Sequence, residues 1–140
     1  MKTFVKYFVV GALLVSGTSV ANAQNPKDDI VCRNGNTVLE NNSLYFEYAK
    51  QKQWNDAYEF WLAIYDTVPD YNKNLYIQGE KILINKINAA IREKNVEARK
   101  DFQEQLMGMY DNRIKYFGND TKTPAAKILG TKAHYYLTFN

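Results

Sequence analysis

Leu44-Tyr45-Phe46-Glu47-Tyr48-Ala49-Lys50-Gln51-Lys52-Gln53-Trp54-Asn55-Asp56-Ala57-Tyr58-Glu59-Phe60-Trp61-Leu62-Ala63-Ile64-Tyr65-Asp66-Thr67-Val68-Pro69 is the stretch that decides the fold. Leu44, Tyr45 and Tyr48 form an apolar stripe that runs to about Gln51. Lys52-Gln53 then turns the chain, and a second stripe follows at Ala57, Trp61, Ile64, Tyr65 and Val68. Recurrence at three and four is the period of a helix with one buried face. Pro69 lacks the amide hydrogen that helix needs and disfavours helix in the residue before it, so the second helix is expected to end near Thr67.

The same period continues outward. A third helix is expected from about Lys73 to Glu93, with Leu75, Gly79, Ile82, Leu83, Ile87, Ala90 and Ile91 spread over more than half its circumference, as on a helix covered from two sides. A fourth, from about Val96 to Phe117, carries Ala98, Phe102, Leu106, Met109, Tyr110, Ile114 and Phe117; it opens after Asn95 as a cap and closes at Gly118 in the left-handed conformation. Thr123-Pro124 opens a fifth, with Thr as the cap and Pro in the first turn. Towards the amino terminus, 24–40 is polar and turn-rich (Asn25-Pro26-Lys27-Asp28-Asp29, Asn34-Gly35-Asn36) and reads as a leader strapped to the domain, with Asn41 or Asn42 capping the first helix. No alternating stretch of useful length interrupts these helices. The expected fold is all-α, an array of antiparallel helical hairpins over 41–140.

Residues 1–23 have a different character. Lys2 and Lys6 precede the apolar Tyr7-Phe8-Val9-Val10-Gly11-Ala12-Leu13-Leu14-Val15, and Ala21-Asn22-Ala23 closes the segment, which reads as a secretory signal peptide cleaved after Ala23. Ser16, Gly17, Thr18 and Ser19 break the run short of the roughly 20 apolar residues that a membrane span needs. Export to the periplasm or envelope, with no integral membrane segment after cleavage, is the expectation. Loss of Lys2 and Lys6 from the 18 basic residues leaves 16 against 15 acidic ones. A nearly neutral chain lacks the concentrated positive field that nucleic acid or an anionic membrane surface requires. Cys32 is the single cysteine, so no internal disulfide is available, and a buried thiol is the expected state.

Leu44, Tyr48, Ala57, Trp61 and Pro69 stand at the spacing of one tetratricopeptide repeat: a large residue, an aromatic, a small residue where two helices touch, another aromatic and a terminal proline. The chain therefore resembles the tetratricopeptide repeat proteins, in particular exported ones of the Bacteroidetes type. That resemblance implies an α-solenoid of about two repeats plus the first helix of a third. A 34-residue period carries Tyr45 onto Gly79 and Tyr48 onto Ile82, and Ala126 to Ala133 resembles a third first-helix. In such relatives a cysteine often precedes the repeat proline and can pair with one ahead of the first helix; here Val68 holds that place and Cys32 has no mate. Relatives usually carry more repeats, and a fifth helix with Ile128, Leu129, Tyr135, Tyr136 and Leu137 would expose apolar residues on at least one face. A complete chain and a truncated one both stay open.

Catalysis lacks parts. His134 is the single histidine, about a hundred residues from Cys32, so neither a nucleophile–base pair nor a paired metal-ligand spacing exists, and no glycine-rich phosphate loop occurs. No enzyme activity, metal or cofactor is expected. The resemblance implies a groove lined by the first helix of each repeat, carried here by Asn42, Phe46 and Lys50, then Tyr76, Glu80 and Leu83, then Lys127, Thr131 and His134. The expected function is a protein-interaction scaffold or adaptor of the bacterial envelope that binds a protein or peptide. The alternative is a structural subunit of an envelope assembly, with a carbohydrate-binding or hydrolytic periplasmic protein behind it.

Overall fold

A computed structural model describes residues 24–140; the expected signal peptide, 1–23, lies outside the described residues. Five helices follow one another: α1 (Val38–Lys50), α2 (Trp54–Thr67), α3 (Lys73–Arg92), α4 (Val96–Phe117) and α5 (Ala125–Phe139). The described residues form no sheet; an isolated bridge pairs Val31 with Thr37. Extensive packing joins each helix to the next in sequence, α1 to α2, α2 to α3, α3 to α4 and α4 to α5. Short loops enforce this, because three to seven residues return the chain antiparallel to the helix just completed.

Two of those loops are the same turn made twice. After α1, Gln53 N–H donates to the Tyr48 carbonyl, Lys52 N–H to that of Ala49 and Gln51 N–H to that of Glu47; after α3, Asn95, Lys94 and Glu93 donate to Ala90, Ile91 and Ala89 in the same pattern. Each turn holds a lysine in the left-handed region, Lys52 at φ 58 and Lys94 at φ 55. The bond reaching back five residues is the closure that satisfies orphan carbonyls at a helix end. The turns stand 42 positions apart rather than 34, because α3 has 20 residues where α1 has 13.

The joint between hairpins is built by Trp61 and Gly79. Trp61 is 1% exposed, and its Nε1–H donates to the Leu75 carbonyl at 2.8 Å. A Cβ on Gly79 would sit 2.6 Å from the indole, so the missing side chain is what lets α3 lie against the ring. Tyr65 stacks on the other part of the same cluster, its centroid 4.9 Å from Trp61, and Tyr76 meets Tyr65 edge-on at 5.9 Å. Ala57, fully buried, keeps α2 close to its neighbours.

The helix starts differ from the sequence expectation in two places. α1 begins at Val38, inside the segment read as leader, because Thr37 accepts from Glu40 N–H while Glu40 Oε2 accepts from Thr37 N–H at 2.7 Å. This reciprocal cap satisfies two orphan donors, which neither Asn41 nor Asn42 could do alone. Asn41 is instead buried within α1, donating to Asn34 Oδ1 and accepting from Asn34 Nδ2. At α5 the cap position is Pro124, without a side-chain bond from Thr123. Gly118 ends α4 at φ −66, right-handed rather than left-handed.

The preceding segment is tied down by side chains. Tyr71 hydroxyl donates to Asp28 Oδ1 at 2.6 Å, Asn25 Nδ2–H donates to the Tyr71 carbonyl at 3.1 Å, and Lys27 pairs with Asp70 at 2.5 Å. Gly35, at φ 84, turns the loop so that Cys32 N–H reaches the Asn36 carbonyl at 2.8 Å. Cys32 is thereby held in the core, a free thiol in the same apolar cluster as Val68.

Candidate functional site

The nine residues expected to line one groove do not do so together. On α1, Lys50 is exposed and Phe46 is half-buried, stacked on Tyr45 at 4.7 Å. Asn42 is also half-buried, and its Oδ1, like the Tyr45 hydroxyl, is an enclosed polar atom with no bonding partner among the described residues. On α3 the expectation fails for two residues: Tyr76 and Leu83 are fully buried. Tyr76 donates its hydroxyl to the Pro69 carbonyl at 2.6 Å and meets Phe117 edge-on, so the α3 face read as groove is the face on which α4 packs. Glu80, half-buried on that face, accepts from the Tyr110 hydroxyl at 2.9 Å. On α5, Lys127 and His134 are exposed and Thr131 donates to the Lys127 carbonyl.

The physical reason lies in α5. Its inward face is Ile128, Tyr135 and Phe139, with Ile128 2% exposed and Tyr135 stacked between Tyr110 and Phe139 at 6.5 and 5.7 Å. Arg99 and Gln103 of α4 both donate to the Phe139 carbonyl, at 2.8 and 2.7 Å, and Lys132 pairs with Asp111 at 2.5 Å. These contacts fix the rotation of α5 and turn Leu129-Gly130 outward. Leu129 is 52% exposed, and a Cβ on Gly130 would meet nothing within 4 Å among the described residues.

Turning Leu129 outward assembles a surface. Leu129, Ala133, Tyr136 and Leu137 of α5, with Met107 of α4 and Lys132 at the margin, line an apolar hollow of about 600 Å³. Tyr136 is 56% and Leu137 77% exposed, so these side chains have solvent where an inward face would have neighbours. Contiguous exposed apolar surface of this kind marks a contact site more often than chance. The sequence marks Leu129, Tyr136 and Leu137 as exposable, but Met107 joins them through the α4–α5 crossing alone.

The described residues contain no group of three or more His, Cys, Asp or Glu side chains placed to hold a metal, and no helix long and apolar enough to cross a membrane. Compared with protein-family models, curated proteins and solved structures, the chain matches none.

Proposed function

We propose that this chain is a tetratricopeptide-like interaction protein of the bacterial envelope, which receives an amphipathic helix of a partner protein on the α4–α5 face. The carrying observation is the outward apolar row Leu129, Tyr136 and Leu137 beside Met107. The occupant follows from how the array is built. Each of the first four helices is packed against the helix that follows it, and the α5 row, completed by Ala133 between Leu129 and Tyr136, has the same three-and-four spacing and apolar character. A partner helix with apolar residues at i, i+3, i+4 and i+7 would fit as another helix of the stack. The twice-made turn, Ala57 and the Trp61–Gly79 joint support the repeat reading, with a spacing longer than the family norm.

Site-specific photocrosslinking tests the proposal. A benzophenone side chain at position 137 of the full chain should give one discrete adduct in its own cells, and the crosslinked peptide should come from an amphipathic helix. Leu129→Glu should remove the adduct while far-UV circular dichroism stays unchanged, and a benzophenone at exposed Lys81 should give none. A homodimer adduct at 137, or the same adduct from both positions, would refute the reading.

A further inference from the structure

A second concavity lies between α2 and α4. Tyr58, Leu62, Tyr65 and Asp66 line it from α2, and Gln105, Gly108, Asp111 and Asn112 from α4, enclosing about 450 Å³. That volume suits a small ligand. Its side chains are held rather than floppy. Tyr58 hydroxyl donates to Gln105 Oε1 and Asn112 Nδ2–H donates to the Tyr65 hydroxyl, both at 2.7 Å, so each tyrosine is fixed by the helix opposite.

Those bonds decide what remains available. With one Asn112 Nδ2–H engaged and Gln105 Oε1 holding the Tyr58 proton, Gln105 Nε2–H, the second Asn112 Nδ2–H and the Tyr65 hydroxyl proton are left as donors, and Asn112 Oδ1 as an acceptor. Asp66 and Asp111 each have one oxygen paired, with Arg33 at 3.0 Å and Lys132 at 2.5 Å, and one oxygen left to accept. Because both carboxylates already carry a cation, the cleft holds no unbalanced charge to recruit an amine. The absence of a side chain at Gly108 keeps the floor open: a Cβ there would meet nothing within 4 Å among the described residues. Leu62 and the half-buried Tyr65 supply apolar surface beside the polar groups.

We propose that the α2–α4 cleft is a binding site for a neutral saccharide, a pyranose ring whose hydroxyls both donate and accept. Hydroxyl groups match a mixed set of three donor groups and three acceptors, and the ring's C–H face matches tyrosine and leucine. An anion would meet two carboxylates, and a cation would find each of them already neutralised by Arg33 or Lys132. The cleft has its own lining, and the Asp111–Lys132 pair is its link to the α4–α5 face.

The test is a nuclear magnetic resonance titration of ¹⁵N-labelled full-length mature chain with glucose, galactose, N-acetylglucosamine and their β-linked disaccharides, and in parallel with lysine methyl ester. At least one sugar should shift the side-chain amides of Gln105 and Asn112 saturably and in preference to its stereoisomers. Gly108→Leu should weaken that binding by more than tenfold by filling the floor, while leaving the fold intact because position 108 has room. Tyr65→Phe should weaken it several-fold, leaving the ring and removing the hydroxyl. Absence of saturable shifts with every sugar, equal binding by Gly108→Leu, or shifts with the lysine ester in place of sugars would each overturn the proposal.

Discussion

Gly79→Ala puts the joint between the two hairpins on trial. In most helices the change is favourable, since alanine exceeds glycine in helix propensity by about 1 kcal/mol. Here the new Cβ would lie 2.6 Å from Trp61 Cζ2 and 2.7 Å from both Cε2 and Nε1. Ordinary carbon contacts lie near ~3.5–4.0 Å, so the indole must retreat by about 1 Å. A shift of that size stretches the 2.8 Å bond from Trp61 Nε1–H to the Leu75 carbonyl beyond hydrogen-bonding range. A buried donor left unpaired costs about 1–3 kcal/mol, and overpacking a filled core about 1–3 more. Set against the propensity gain, the net loss should be about 1–5 kcal/mol. Urea unfolding followed by tryptophan fluorescence and circular dichroism measures it, with an unchanged slope showing that the unfolded state is not the cause. Gly108→Ala and Gly130→Ala are the controls: both lie within helices, neither new Cβ would meet an atom within 4 Å among the described residues, and each should stabilise by about 0.5–1 kcal/mol. Leucine carries no atom equivalent to any of the three clashing ones, so Trp61→Leu should relieve most of the Gly79→Ala penalty in a double-mutant cycle. If Gly79→Ala stabilises as the controls do, the close approach of α3 to Trp61 is wrong.

Two further outcomes follow from the turns and the tyrosines. Lys52→Gly and Lys94→Gly should each stabilise by about 1 kcal/mol in thermal unfolding, because glycine removes the left-handed cost that lysine bears at φ 58 and φ 55; a loss in both would show that those turns are otherwise made. Tyr45, Tyr71, Tyr76 and Tyr110 have hydroxyls whose pKa is raised from 10.0, first by burial, and for Tyr110 also by neighbouring Glu80. Raised folded-state values mean that this contribution to stability is fully present below about pH 10 and is lost as pH climbs above it. Absorbance at 295 nm should therefore show these four ionising late and together with loss of helical signal; independent ionisation near pH 10 with the fold intact would contradict their burial.

The helices were legible because each is long, strongly periodic and bounded by local chemistry. Pro69 ends α2, Asn95 caps α4 through the Ala98 amide, and Lys52-Gln53 turns α1 into α2. Where competing local signals lay close together, sequence reading chose the wrong one: Asn41 and Asn42 are good caps in isolation, but the Thr37–Glu40 pair satisfies two donors and moves the start to Val38. Burial was legible at Trp61 and Ala57 for the same local reason. It was not legible at Tyr76, and at Leu83 the periodicity and the groove implied by the resemblance pointed opposite ways, because a helix covered on two sides leaves the choice of open face to the partners that cover it.

The sequence by itself determined that the chain is helical, where its hairpins turn, and that α5 carries more apolar residues than one inward face can use. Periodicity and capping are properties of neighbours along the chain, and they survive without knowledge of the whole. Only the tertiary structure decided which α5 residues face outward, since Arg99 and Gln103 hold the Phe139 carbonyl while Tyr110 stacks on Tyr135. It also decided that Tyr58 and Tyr65 meet Gln105 and Asn112 across a cleft. Both surfaces are made by the rotation and crossing of whole helices. Those depend on fits such as Gly79 under Trp61, and no local pattern encodes them.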